Sequence, residues 1–158
     1  MKLIEANKIE NVKSKPVPHK QIRRLLKDKV PQKMIELCGD HRGMGLAAPQ
    51  IGLFQNFFIV RLQGWWQVCF NPKIISISDE TIEMNEGCLS YPDLTVQTKR
   101  AAAISVQYYG GSKYMKTILN GLDSVVFQHE FDHLQGVTIK TLMDEEKASE
   151  ATGPTLAI

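Results

Sequence analysis

The sequence predicts an α+β domain in which mixed or antiparallel β-sheets surround a central metal-binding helix. Three observations carry this prediction. Segments with helical spacing lie towards the two ends of the chain and short strand-like runs fill the middle, so the element types are segregated rather than alternating. His129 and His133 sit four residues apart in one helical segment, with Glu130 beside the first. The length of 158 residues suits one hydrophobic core. Residues 1–158 are therefore expected to form a single catalytic domain, with 1–18 as an extended lead-in and 144–158 as a short, flexible tail.

Taken in order, the first 18 residues are polar and contain Pro16 and Pro18, which favour extended backbone. From His19 to Cys38 apolar residues recur at helical spacing: Ile22, Leu25, Leu26, then Met34, Ile35 and Leu37. Pro31 lacks an amide donor, so this helix should kink or split there. Gly39 and Gly43 are stop signals. Short runs rich in aromatic and β-branched residues follow at 57–60, 67–70, 73–77, 94–98 and 103–109, with Gly64 and Asn71-Pro72 between the early ones. Gly110-Gly111 reads as a hairpin turn into a strand over 114–119. A second helix is expected from about Leu122 to Gln135, closed by Gly136.

The net charge of +2 gives no case for nucleic-acid binding. Lysine and arginine are dense between Lys13 and Lys33, but no aromatic residues are interleaved there to stack bases, so a solvated helix face is expected. No apolar run is long enough to span a bilayer, and the first ten residues show no signal or transit pattern. A cytoplasmic location follows as an expectation, or the equivalent compartment of an organelle or phage-infected cell. Three cysteines are too few, and odd in number, for a disulfide framework; reduced thiols are expected.

The chemistry resides in the run Gln128-His129-Glu130-Phe131-Asp132-His133. Histidines at i and i+4 on a helix point the same way and can hold one ion. Leu122, Val125 and Val126 continue the same helical stripe, which places both imidazoles on the buried side. The ion would activate a water, and Glu130 would take its proton as that water attacks a carbonyl. A catalytic site needs a third protein ligand. The downstream acids fall in the expected tail, which leaves an upstream cysteine as the alternative. Cys88 lies in a turn-like segment between strands, whereas Cys38 and Cys69 read as packed core. Taken alone, the stretch 43–50 reads as a plain glycine-containing turn.

Together three segments, GMGLAAPQ (43–50), EGCLS (86–90) and QHEFDHLQG (128–136), resemble the motifs of peptide deformylase in order and spacing. The resemblance implies a peptide deformylase-like fold and removal of the formyl group from the N-terminal formyl-methionine of new polypeptides, releasing formate. It implies Cys88, His129 and His133 as metal ligands and Glu130 as general base and acid. Gln50 and the backbone N–H of Leu89 would hold the developing oxyanion. Fe²⁺ is the expected ion, with Zn²⁺, Ni²⁺ or Co²⁺ able to take its place. Gly43, Gly45 and Gly87 would let an extended peptide pair closely with the backbone. Met44, Met84, Leu122, Val125 and Val126 match the family's methionine pocket, and Glu86 also matches a site position. Glu86, Arg100 and Asp132 would either orient ligands or form a surface ion pair. The expected partners are formyl-methionyl peptides and the ribosome near its exit tunnel, without a membrane. The competing readings are an endopeptidase using the same histidines and a structural zinc module, the latter requiring a fourth protein ligand. The family's proline-plus-leucine signature near the start has no counterpart here, and the tail suggests a short-tailed member.

Overall fold

The computed structural model describes residues 1–143 and the backbone of Leu156–Ala157. The expectation for the remainder of the 144–158 tail lies outside the described residues.

Two helices open the domain, α1 (His19–Lys27) and α2 (Val30–Asp40). The long helical segment does split, just ahead of Pro31, where Lys29 adopts a left-handed φ of 54°. The strands are β1 (Gly45–Ala47), β2 (Phe57–Leu62), β3 (Trp65–Ile77), β4 (Thr81–Cys88), β5 (Tyr91–Ala101), β6 (Ala103–Tyr109), β7 (Tyr114–Asn120) and β8 (Leu156–Ala157). Helices α3 (Leu122–Leu134) and α4 (Ile139–Leu142) lie between β7 and β8. One sheet has the order β1-β2-β3-β6-β7, and the other β5-β4-β8. All pairs are antiparallel except β4 with β8, where Glu86 and Gly87 face Leu156 and Ala157.

The runs read separately at 67–70 and 73–77 are one strand, β3. Its register shifts between Phe70 and Lys73 and again between Ile74 and Ser76, so the Asn71-Pro72 pair bends the strand instead of ending it. Residues 86–88, read as part of a turn, lie inside β4; the turn is confined to Leu89 and Ser90. The first motif is also more structured than a plain turn. Gly45–Ala47 pair with Phe58–Val60, and Ala48–Ile51 form a 3-10 helix.

Side-chain alternation along β2 explains how one sheet supports two layers. Phe58, Val60 and Leu62 join Val106, Phe127 and Leu134 in a core between the large sheet and α3. Phe57 and Ile59 join Ile22, Met34 and Leu46 in a second core against α1 and α2. Phe58 and Phe127 meet edge to face at 5.0 Å, a geometry that aligns a positive ring edge with a negative face. An apolar run buried on both faces loses its period-2 contrast, which is why 57–60 reads as continuous. The first 18 residues are tied across the molecule rather than trailing from it. Apart from a short 3-10 turn at Ala6–Lys8, they contribute Ile4 N–H to Gln50 O at 2.9 Å, Asn11 N–H to Gly136 O at 2.8 Å and Ser14 N–H to Leu134 O at 2.9 Å. No helix among the described residues is long and apolar enough to cross a membrane.

Candidate functional site

Helix α3 brings two of the three donors. Its start is pinned to the end of β5: Ser124 Oγ donates to Ala101 O at 2.8 Å and Gln128 Nε2 donates to the same carbonyl at 3.0 Å. With Val125, Val126 and Phe127 buried on the sheet, the next turn carries His129 and His133 inward, their ring centroids 4.9 Å apart. Cys88, the last residue of β4, supplies the third donor. His133 Nε2 lies 3.2 Å from His129 Nε2 and 3.3 Å from Cys88 Sγ. The three ligand atoms fall within 4.8 Å of one another, and all three residues are buried.

These spacings fit an ion. Bonds of about 2 Å at tetrahedral angles place two nitrogen donors roughly 3.3 Å apart. The donor set is soft to intermediate, a thiolate with two imidazoles, which suits a transition-metal cation. Among the described residues, no fourth histidine, cysteine or acid joins the group. Three protein donors are the complement of a catalytic metal site, whereas a structural zinc module takes four.

The ligands are oriented from behind. Glu86 Oε2 accepts from His129 Nδ1 at 2.7 Å, which leaves Nε2 free to coordinate. Arg100 clamps Glu86 through Nε to Oε1 at 2.7 Å and Nη2 to Oε2 at 2.9 Å, and reaches Asp132 Oδ2 through Nη1 at 2.5 Å. Thr98 Oγ1 donates to Glu86 Oε1 at 2.5 Å. Glu86 and Arg100 are both buried, so the surface-pair alternative does not describe them. Burial alone would raise the Glu86 pKa, but its bonds to Arg100 and His129 hold it well below the usual carboxylate range. Burial would also raise the Cys88 thiol; His133 and His129 outweigh it and bring the thiol down to about 6.

Glu130 follows His129 on α3. Its carboxylate is fully buried, and neither oxygen has a hydrogen-bond partner among the described residues. Burial pushes its pKa up to about 8 against the opposing charge of His129. The carboxylate rests on Gly45, where an added Cβ would lie 2.7 Å from Glu130 Cδ. Gln50, in the 3-10 helix after β1, points its amide nitrogen at Ser90 Oγ (3.0 Å) and Cys88 Sγ (3.6 Å).

A family model described as "Polypeptide deformylase" matches residues 4–149. The chain belongs to that family. It is 42% identical to a peptide deformylase of Thermotoga petrophila over 113 residues, covering 71% of this chain and 69% of that one. The fold is similar to the crystal structure of peptide deformylase from Thermotoga maritima, with a TM-score of 0.81 and 37% identity over 89% of this chain and 94% of that one. A class I type b peptide deformylase from Acinetobacter baumannii gives 0.82 at 29% identity, covering 89% and 97%. The chain is thus a deformylase, a metallohydrolase that removes the formyl group from nascent peptides.

The remaining residues singled out in the sequence distribute around this deformylase centre. Val125 and Val126 are fully buried, and Met44 and Met84 pack against the same cluster. Leu122 stands apart, 37% exposed at the start of α3. Gly43 sits where a Cβ would meet Cys38 Sγ at 2.7 Å and Leu89 Cδ1 at 3.0 Å, so it joins the first and second motifs at close range. Sequence reasoning did not single out Thr98 or Ser90. The signal for Thr98 was its place two residues before Arg100, on the same face of a strand. Ser90 was visible only as the last letter of its motif.

Proposed function

We propose that Cys88 Sγ, His129 Nε2 and His133 Nε2 hold a divalent cation, Fe²⁺ by preference, and that Glu130 moves the proton during hydrolysis of a formyl-methionyl amide. The observation that carries this reading is the buried Glu130 carboxylate, unpartnered among the described residues, next in sequence to His129 and within its electrostatic reach. When bound, the cation polarises the formyl carbonyl and lowers the pKa of a coordinated water.

The chain's own groups do the rest. Glu130 accepts the proton of the attacking water and returns it to the leaving amine, giving formate and a free N-terminal methionine. The Gln50 amide and the backbone N–H of Leu89 donate to the oxyanion that develops on the formyl oxygen. Glu86, held by Arg100 and Thr98, keeps His129 in one tautomer. Val125, Val126, Met44 and Met84 receive the methionine side chain, with Leu122 at the rim. Beyond the first residue, the outer edge of β1, the terminal strand of its sheet, offers backbone groups to an extended peptide, with Gly43 keeping the approach open; the Glu86–Gly87 stretch of β4, expected to share this role, is already paired with β5 on one side and β8 on the other. A thiolate donor suits Fe²⁺ and also makes the site oxidisable. A nascent-chain substrate places the encounter near the ribosomal exit, in the compartment of protein synthesis.

The test is formate release from a formyl-Met peptide by anaerobically purified, metal-analysed protein. Glu130→Ala, loaded to the same metal content, should lose roughly 10²- to 10⁴-fold in kcat. Normal turnover by that variant would remove Glu130 from the mechanism.

A further inference from the structure

We propose that Ser90 is a positioning residue that fixes the direction in which the Gln50 amide donates. The inference rests on the reading of Gln50 as an oxyanion donor.

The Gln50 side chain is buried, and its amide is held at both ends. Oε1 accepts from the backbone N–H of Ala47 at 2.8 Å. Nε2 donates to Ser90 Oγ at 3.0 Å. The first bond settles which end of the amide is oxygen, because an N–H cannot face an NH₂ group productively. The second settles the rotation of the amide plane. A primary amide has two N–H donors. Ser90 takes one. Nε2 is also 3.6 Å from Cys88 Sγ, a long, weak contact that is cheap to surrender. Holding one donor on Ser90 thus turns the other towards the metal ligands, where the formyl oxygen gains charge.

Ser90 also couples the two oxyanion donors to each other. Leu89 and Ser90 form the turn between β4 and β5. The turn supplies Leu89 N–H from its backbone and grips Gln50 by its side chain. A displacement of this turn moves both donors together, so the spacing between them is set within two residues. Ala47, one turn upstream of Gln50, lies in the strand whose first residue, Gly45, rests against Glu130, so the same amide is registered against the base as well.

The experiment is a double-mutant cycle on metal-loaded protein, with kcat, KM and metal content measured for Ser90→Ala, Ser90→Thr, Gln50→Ala and the Ser90→Ala/Gln50→Ala pair. Ser90→Ala should lower kcat roughly threefold to tenfold, the worth of one hydrogen bond, with KM within about twofold and metal content unchanged. Ser90→Thr, which keeps the hydroxyl, should recover most of the loss. In the Gln50→Ala background, Ser90→Ala should cost nothing further, because its effect runs through the amide. Ser90→Gly provides a second removal of the hydroxyl if Ser90→Ala fails to fold. An equal loss in both backgrounds, a change confined to KM, or loss of metal would overturn the proposal. If Gln50→Ala lowers kcat and Ser90→Ala does not, Gln50 keeps its role and Ser90 has none. If Gln50→Ala leaves kcat intact, the oxyanion reading fails and Ser90's role falls with it.

Discussion

Glu86 Oε2 and His129 Nδ1 lie 2.7 Å apart in a buried contact between β4 and α3. The carboxylate belongs to the strand that carries Cys88, and the imidazole belongs to the helix that carries His133. One hydrogen bond therefore aligns the two halves of the ligand set.

Glu86→Gln should weaken metal binding by about 10- to 100-fold, the range for loss of such an outer partner. It also leaves the Arg100 guanidinium facing a neutral amide. Chelator competition measures the affinity directly. An unchanged dissociation constant would show that the ligands are held by their backbones alone.

Gly45→Ala places a methyl 2.7 Å from Glu130 Cγ and Cδ. The flexible side chain can swing aside, so the fold and metal should survive while the base leaves its position. We expect at least about a tenfold fall in kcat, part of the 10²- to 10⁴-fold that general-base catalysis supplies. Metal content and the thermal midpoint distinguish this outcome from unfolding.

Gly136 closes α3 with φ of 76°, and a Cβ there would lie 2.5 Å from Val12 N and 2.8 Å from Asn11 C. Both neighbours are backbone and cannot rotate away. Gly136→Ala should cost roughly 2 kcal/mol or more from strain at positive φ and overlap. That is a fall of about 4–8 °C in Tm for a chain of this size. A midpoint within one degree of the parent would contradict the packing described.

Cys38 and Cys69 should resist alkylation in the native protein at pH 8. Burial pushes the Cys38 thiol up to about 12, with Glu130 adding to it, and raises Cys69 well above its ordinary value for the same reasons. In the unfolded chain both ionise near pH 8.5. The folded pKa is the higher one, so the contribution to stability is complete below that value and is lost as pH rises towards 12. The urea midpoint should therefore fall as pH is raised above 9, and less steeply in Cys38→Ala. Mass mapping after iodoacetamide treatment reads the alkylation.

Much of the site was legible because its residues are local in sequence. Spacing of four on a helix placed His129 and His133 together, and the stripe ahead of them announced burial. Strand β4 was obscured by its own function. Ile82 and Met84 alternate as an inward face should, but the third inward position is Glu86, a charge that reads as surface. Its compensation, Arg100, is on the next strand, at Ile82 in the antiparallel register. A buried ion pair split between strands leaves no trace in the hydrophobic pattern of either. The lead-in was read as extended, which is mostly so, but its partners at Gln50, Leu134 and Gly136 are too distant in sequence for any local signal to announce them.

The separation of Cys88 from His133, 45 residues, also has a consequence during synthesis. At about 5–20 residues per second, the thiol emerges from the ribosome several seconds before its second histidine. Throughout that interval the cysteine is an ordinary accessible thiol, open to oxidants and to any soft ion in reach. The lead-in is made first but cannot be tied down until Leu134 and Gly136 arrive. An enzyme whose substrates are chains still being made thus completes its own centre only once His133, the last of its three donors, has been made.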